Sequence, residues 1–231
     1  MSDAGESPGP AGERAAQPPH NDRGEPDSRP PIHEPIPGFT PENDLERAIT
    51  EDERLREGLA WGKPRSGHPE GTIGAHVADL LNRLDAAGVS GPRRAELRFI
   101  TLVHDSFKGE VSNWRPRTGE NHHAMRARRF AERYTDDKRL LATIQHHDQP
   151  YAIWRKMQRK GRLDEKRFAK LVECIPDMPL FLSFVELDGA TEGKRPEPVH
   201  WFRGELERRG ILPHAVAANP AGAARPDEIS A

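Results

Sequence analysis

The chain has 231 residues, with 35 lysines and arginines against 37 aspartates and glutamates, and this near balance argues against a nucleic-acid-binding protein. Its one cysteine, Cys174, excludes an intrachain disulfide bond and favours a reducing compartment. Because the sequence shows neither an apolar run of membrane-spanning length nor the apolar core of a secretory signal, we expect a cytoplasmic protein without a membrane partner.

Both ends of the chain have the composition of disordered segments. Residues 1–41 contain ten prolines and five glycines, and Phe39 is their single aromatic residue. Such a segment buries too little apolar surface to offset the entropy lost on ordering. The same prediction applies to residues 211–231, which are small, polar and rich in proline and alanine. The folded region is therefore expected to span residues 42–210.

Helical signals begin directly after the first tail. Residues 42–60 predict helix, with Thr40 as N-cap, Pro41 at the first position and a break near Thr50, and the glycine- and proline-rich residues 61–71 predict a loop. Apolar residues then recur at helical spacing over residues 72–88. The next helix is expected to start at Pro92 and to end near residues 104–105.

The second half of the chain continues the helical pattern. After a loop at residues 109–120, helices are expected over residues 121–134 and from residue 136 or 137 to the histidine pair at 146–147. A short helical piece is expected after Pro150, another helix after the cap Asp164, and a last one over residues 197–209. Residues 179–188 are apolar nearly all round, which is typical of a buried central helix. Since no segment shows the alternation of a strand, we expect an all-α, single-domain bundle of seven to nine helices.

Candidate metal ligands lie at the ends or on one face of the predicted helices. In chain order they are His76, His104, Asp105, His122, His123, His146, His147 and Asp188. The pair His104-Asp105 ends an apolar helix, where exposed carbonyl groups favour a cation. Asp188 follows core phenylalanines at helical spacing, and a carboxylate there is costly to bury unless it is paired or binds a metal. Imidazole and carboxylate ligands together suit Mn, Fe, Co, Ni or Zn.

The adjacent histidines leave alternatives open. Neighbouring residues of a helix point about 100° apart, so His122 and His123 are not expected to face inward together, and we favour His122. His146 and His147 are either ligands of a second metal or surface residues at a helix end, and Asp148 is interpreted as a cap of the following turn.

Three cationic residues follow the His104-Asp105 pair in the sequence. Lys108, Arg115 and Arg117 lie in or beside the loop that follows it, where they could bind a substrate phosphate. The alternative for all three is ordinary solvated loop charge.

The order of these motifs resembles that of the HD-domain superfamily of metal-dependent phosphohydrolases. His104-Asp105-x-x-Lys108 resembles the superfamily's His-Asp-x-Gly-Lys turn, with Phe107 in place of the glycine. Gly71-Thr72-x-x-x-His76 resembles the segment that carries its first ligand. The resemblance covers about residues 70–190.

Three further matches follow in the same order. His122 and Ala127 resemble the His-x-x-x-Gly-Ala helix, with Arg126 in place of the glycine. The pair at residues 146–147 resembles the paired histidines of two-metal members, and Asp188 resembles the closing aspartate of the last core helix.

The resemblance implies about five core helices around one or two divalent metal ions per chain, of Mn, Fe, Co, Ni, Zn or Mg. The first ion would be held by His76, His104, Asp105 and Asp188. A second would be held by His122 and by His146 or His147, with Asp105 as a bridge.

The implied activity is hydrolysis of a nucleotide or another small phosphate ester by metal-activated water. Asp105 would orient the water or accept its proton, and Lys108 would hold the phosphate. Two alternatives are kept: the same ligand order resembles the mixed-valent di-iron oxygenases of this superfamily, and the fold also suits a non-catalytic ligand-sensing module.

Overall fold

The computed structural model describes residues 34–64 and 71–212, and in these ranges the chain is helical without a β-strand. Its α-helices are α1 (Asp44–Glu51), α2 (Glu53–Ala60), α3 (Ile73–Ala86), α4 (Gly91–Val103), α5 (His123–Ala131), α6 (Lys138–His146), α7 (Gln149–Lys160), α8 (Glu165–Cys174), α9 (Met178–Gly189) and α10 (Glu197–Arg208). Short 3-10 turns lie at Lys108–Glu110 and Gly119–Asn121. The predicted all-α class is therefore confirmed. None of the helices in the described ranges has the length and apolar character that a bilayer crossing needs.

The first helical region starts and breaks at different residues from those expected. Asn43, not Thr40, caps α1, because its side-chain oxygen accepts a hydrogen bond from the Glu46 amide at 2.8 Å. The break falls at Asp52, whose carboxylate accepts hydrogen bonds from the first amides of α2. The Thr50 hydroxyl instead donates to the Glu46 carbonyl within α1, at 2.8 Å. Asparagine, threonine and aspartate are all favoured N-cap residues, so residue type alone did not distinguish Asn43 and Asp52 from Thr40 and Thr50.

Residues 34–41 differ from the composition-based expectation of a disordered segment. Ile36 is buried at 4% exposure and Phe39 packs against the same core. The Arg98 guanidinium also donates to the Thr40 carbonyl at 3.0 Å. Two apolar side chains and one buried donor thus bind this proline-rich stretch to the bundle. Residues 1–33 and 213–231, most of the predicted tails, lie outside the described residues.

Helix α9 occupies the centre of the bundle, as its apolar sequence predicts. It contacts α3, α4, α6 and α10 and contributes to both apolar clusters of the described residues. Phe184 belongs to the cluster with α3 and α4, whereas Phe181 belongs to the cluster with α8 and α10. Asp188, near the C-terminal end of α9, is therefore carried by a helix that contributes to both apolar clusters.

A buried ion pair fastens α1 to α4. Arg98 and Glu46 have side-chain exposures of 5% and 1%, and the guanidinium donates two hydrogen bonds to the carboxylate, at 2.8 and 2.7 Å. Such a pair is stabilising only as a pair, because either charge alone would be left desolvated.

The turn after α4 is enclosed by α2 and α5. Phe107, where the resembling superfamily has glycine, is fully buried, packs 5.0 Å from the Phe130 ring, and has φ −108°, so its backbone has no need of glycine. Arg126, at the second replaced glycine, donates to Glu110 at 3.1 Å, and Arg54 forms two hydrogen bonds with the same carboxylate. Both substitutions are thus built into the packing that holds this turn.

Close approach of α2 sets the position of the turn. A Cβ atom at Gly58 would lie 1.9 Å from the carbonyl oxygen of Ser106, so only glycine allows the two backbones to meet here. The residue in contact with α2 is the one directly after Asp105. The packing of α2 therefore constrains the backbone directly beside the Asp105 carboxylate.

Candidate metal centre

Five helices bring histidine and aspartate side chains to one point. His76 lies in the first turns of α3 and Asp188 in the last turn of α9. His104 and His147 follow the last residues of α4 and α6, and His123 begins α5. Asp105, next to His104, lies at the centre of this arrangement, and its side chain is 3% exposed.

A first group of ligands joins α3, α4 and α9. His76, His104 and Asp105 each offer one ligand atom within 4.8 Å of the others. Asp188 adds a carboxylate oxygen that lies 3.0 Å from His76 Nε2 and 3.8 Å from His104 Nε2. These are the four residues that the resemblance implies for the first metal, and the structure brings them together.

A second group shares Asp105. His123 Nε2 and His147 Nε2 lie 3.3 and 3.4 Å from Asp105 Oδ1, whereas His104 Nε2 lies 3.4 Å from the other oxygen, Oδ2. The two carboxylate oxygens therefore face two different sets of histidines. This is the geometry that a carboxylate bridging two metal ions requires.

Backbone hydrogen bonds orient two of the imidazoles. His104 Nδ1 lies 3.0 Å from the Thr101 carbonyl, and His147 Nδ1 lies 2.8 Å from the Ile144 carbonyl. Since a carbonyl oxygen only accepts, both rings carry the proton on Nδ1 and present the Nε2 lone pair to the site. Metal-ligating histidines are commonly oriented by such an outer hydrogen bond.

Several polar atoms at the centre are buried without a well-directed hydrogen bond. They include His104 Nε2, Asp105 Oδ1 and His123 Nε2. Leaving such an atom unsatisfied costs about 1–3 kcal/mol, and native proteins rarely cluster them. A divalent cation would satisfy these atoms together, so the donor set fits a metal ion.

The charges of the ligands also suit a cation. Burial alone would raise the pKa of Asp105, but the Lys108 ammonium and the adjacent His104 outweigh it and hold the pKa well below its usual range. The same balance, dominated on the lowering side by Lys194, keeps the pKa of Asp188 low. Burial lowers the pKa of His104 to about 4. Ionised carboxylates and neutral imidazole are the forms that bind metal ions.

His123, and not the favoured His122, faces Asp105, so the structure brings the second histidine of the pair to the bridged group. His122 has an extended backbone and caps α5, accepting from the Ala124 amide through Nδ1 at 3.3 Å. Its Nε2 lies 3.3 Å from Asp148 Oδ2. The prediction placed both histidines on one helix, whereas the helix begins between them and only the second turns inward.

Asp148 belongs to the site, although its sequence position suggested a cap. It makes no side-chain capping bond to α7. Burial would raise the pKa of Asp148, but the hydrogen bond from His122 and nearby His147 hold it far below the usual range. With His122 and His123 it forms a third group whose ligand atoms lie within 4.8 Å of one another.

The structure separates His146 from His147. His146 ends α6 and belongs to none of the three groups found in the described residues, so it is not placed as a ligand. Burial and the nearby Arg128 lower its pKa. In contrast, Asp105 outweighs burial and raises the pKa of His147. The one-residue difference in helical phase decides which imidazole enters the site.

A cavity of about 570 Å³ opens onto the cluster, a volume typical of small-molecule sites. Its polar and charged lining residues are Asp105, Lys108, His123, His147, Asp148, Asp188, Lys194 and Arg195. Its lining also includes Pro150, Tyr151, Val185, Pro198 and Val199, which add apolar surface.

Only one of the three predicted phosphate-binding cations lies at the cavity. Lys108 lines it, whereas Arg115 and Arg117 are exposed in the loop before α5, and Arg117 donates to Asn113 at 2.9 Å. The structure therefore corrects the assignment of the two arginines. Lys194 and Arg195, which sequence reasoning missed, take their place from the connection between α9 and α10. Lys194 lies six residues after Asp188, but α9 ends at Gly189, so this spacing predicts no contact between the two side chains.

No protein-family model, curated protein or solved structure matches the chain. The functional conclusion therefore depends on the geometry of the site, and membership of the HD-domain superfamily stays a prediction from the motifs.

Proposed function

We propose that the protein is a metal-dependent phosphohydrolase that acts on a nucleotide or another small phosphate ester. The observation that carries this proposal is the position of Asp105, whose two oxygens face separate histidine groups at the end of a cavity that also holds lysine ammonium groups. Metal-assisted phosphoryl chemistry needs ligands for a metal ion and positively charged side chains that bind phosphate, and this cavity offers both.

The residues divide into ligands and substrate contacts. His76, His104, Asp105 and Asp188 would hold one divalent ion, and Asp105 with His123 and His147 a second. A metal ion bound there lowers the pKa of its water and stabilises negative charge on the phosphoryl oxygens.

The role of Asp105 follows from its charge state. Its pKa lies well below the usual range despite its burial, which makes the carboxylate a weak base. It would therefore serve to orient the water that a bound ion activates and not to remove the proton of that water. This sharpens the two roles that the sequence left open for Asp105.

The cavity wall fits the organic part of an ester. Lys108 and Lys194 supply positive charge beside the ligands, and the same cavity is also lined by apolar side chains. Tyr151 is 49% exposed, and its ring stacks on Trp154 with centroids 6.2 Å apart. A half-exposed aromatic ring at this position offers a stacking surface for a planar group such as a nucleobase.

An activity assay on two matched variants tests the proposal. Purified wild-type protein is assayed with p-nitrophenyl phosphate and a panel of nucleotides in Mn²⁺, Co²⁺, Ni²⁺, Zn²⁺, Fe²⁺ or Mg²⁺. We expect phosphate release by the wild type and by Asp136→Asn, a control at an exposed aspartate, and at least roughly a hundredfold loss for Asp105→Asn with unchanged helical content. Full turnover by a folded Asp105→Asn variant would contradict the proposal.

A second candidate is a di-iron oxygenase, which the shared carboxylate and four surrounding imidazoles favour. It predicts two irons per chain after growth in iron-replete medium and an oxygen-dependent product. The two lysines at the cavity favour an anionic substrate and place the phosphohydrolase first. Oxygen consumption measured with an electrode, alongside phosphate release, separates the two activities.

A further inference from the structure

Two lysines lie directly on the carboxylate oxygens of the candidate metal centre. The Lys194 ammonium donates to Asp188 Oδ1 at 2.5 Å, and the Lys108 ammonium donates to Asp105 Oδ2. The same two oxygens face the imidazoles, at 3.0 Å from His76 and 3.4 Å from His104. The lysines therefore contact the very oxygen atoms that a metal ion would use.

Charge compensation explains why lysines lie there. A buried carboxylate without a counter-charge is costly, and Asp105 and Asp188 are 3% and 20% exposed at the side chain. One ammonium group compensates each carboxylate. A divalent cation at the same oxygens would repel both ammonium groups strongly, because the separations would be only a few ångströms.

Both lysine side chains can also reach the cavity. Each lines the cavity and is 22% exposed at the side chain. Lysine carries a point charge on a flexible stem, so it exchanges partners more readily than the planar fork of arginine. An anionic group in the cavity would meet both ammonium groups within a short rotation of their stems.

We propose that Lys108 and Lys194 are exchangeable counter-ions, which neutralise Asp105 and Asp188 in the metal-free protein and bind the anionic substrate once a divalent cation takes the carboxylates. The proposal rests on the proposed function and adds an order of binding, with metal first and anion second. Because binding free energies are linked, the anion in turn strengthens metal binding.

The test measures two affinities in one set of proteins by isothermal titration calorimetry. The proteins are the wild type, Lys194→Met, Lys108→Met, and the control Lys166→Met, which replaces an exposed lysine of α8. Mn²⁺ is titrated without phosphate, and inorganic phosphate is then titrated into the Mn²⁺-loaded protein. Circular dichroism establishes that each variant is folded.

The exchange predicts opposite signs for the two affinities. Each cavity variant should bind Mn²⁺ roughly tenfold more tightly than the wild type, since a competing positive charge is gone. Each should bind phosphate roughly tenfold more weakly, since a charge-assisted hydrogen bond is lost. Lys166→Met should match the wild type in both titrations. Two cavity variants at separate carboxylates keep the test decisive if one of them fails to fold.

Three outcomes overturn the proposal. Weaker Mn²⁺ binding by folded cavity variants would show that the lysines support the site instead of competing for it. Tighter Mn²⁺ binding with unchanged phosphate affinity would show that the lysines do not reach the anion. A wild type that binds no Mn²⁺ would remove both this proposal and the proposed function. If the variants differ from the wild type as predicted but the wild type hydrolyses no ester, the phosphohydrolase alone would be refuted and the exchange supported.

Discussion

Replacing His147 by glutamine should remove the second metal ion from the protein, whereas the same replacement at His146 should leave that ion in place. The two histidines are adjacent, but His147 Nε2 lies 3.4 Å from Asp105 Oδ1, while His146 lies outside the ligand groups of the described residues. The pair therefore offers a test in which chemistry and sequence position are almost identical.

The expected magnitudes follow from the contacts. Loss of outer hydrogen-bond partners of metal ligands already costs about 10–100-fold in metal affinity, so loss of the His147 imidazole should cost at least about a hundredfold. His147→Gln also loses the hydrogen bond to the Ile144 carbonyl, which should lower the free energy of unfolding of the metal-free protein by about 1–2 kcal/mol. His146→Gln should change that free energy by about 0.5 kcal/mol or less, because its side chain is only half-buried.

The assay combines metal analysis with urea unfolding. Each variant is loaded with Mn²⁺, dialysed, and analysed for metal per chain by plasma mass spectrometry, and unfolding is followed by circular dichroism with a chelator present. Metal loss in His146→Gln and retention in His147→Gln would refute the assignment. Equal metal content in both folded variants would show that neither imidazole binds the second ion.

Three further predictions concern the frame around the site. Glu46→Gln should lower the free energy of unfolding by about 1–3 kcal/mol, because the buried Arg98 guanidinium loses its buried counter-charge and keeps only the more exposed Glu42 carboxylate, 3.1 Å away. A Glu46→Met/Arg98→Met double variant should recover much of this loss in urea unfolding. Gly58→Ala should cost about 1–3 kcal/mol and weaken Mn²⁺ binding, because its Cβ would lie 1.9 Å from the backbone of the metal-binding turn, whereas Gly204→Ala, in an open part of α10, should be neutral or stabilising. Hydrogen bonds from its arginine partners lower the pKa of Glu110, so Glu110→Gln should cost about 0.5–1 kcal/mol at pH 7. The pKa of Glu110 in the folded protein lies below its unfolded value of about 4.3. The difference in free energy of unfolding between Glu110→Gln and the wild type should therefore be fully present above about pH 4.3 and disappear as the pH falls through the folded pKa. A difference that persists in strong acid would contradict the ion-pair origin.

Three candidate ligands that the structure brings to one point interrupt apolar helical patterns in the sequence. His76, His104 and Asp188 each stand on or beside an apolar helix face, where a polar side chain needs a partner. The helical periodicity of apolar residues shows which face of each helix is buried. Polar residues on those buried faces are therefore expected to meet in the core. The all-α class followed from the same periodicity, as did the central position of α9.

The residues that sequence reasoning misplaced depend on where helices begin and end. Whether His122 or His123 faces Asp105 is decided by which of them is the N-cap of α5, and a single residue of helical phase separates His146 from His147. Lys194 could not be assigned, because its approach to Asp188 depends on the path of the connection between α9 and α10. Contacts of this kind are properties of the assembled bundle and have no local signal in the sequence.

The metal content of the protein tests the central claim most directly. Protein purified without chelator, and a second sample loaded with each candidate divalent ion and dialysed, are analysed for metal per chain beside Asp105→Asn. The predicted result is one or two ions bound per wild-type chain and a large loss in the folded variant, since Asp105 contributes to both ligand groups. A wild-type protein that retains none of the candidate ions, or a folded Asp105→Asn variant that retains as many ions as the wild type, would contradict the assignment of this cluster as a metal centre.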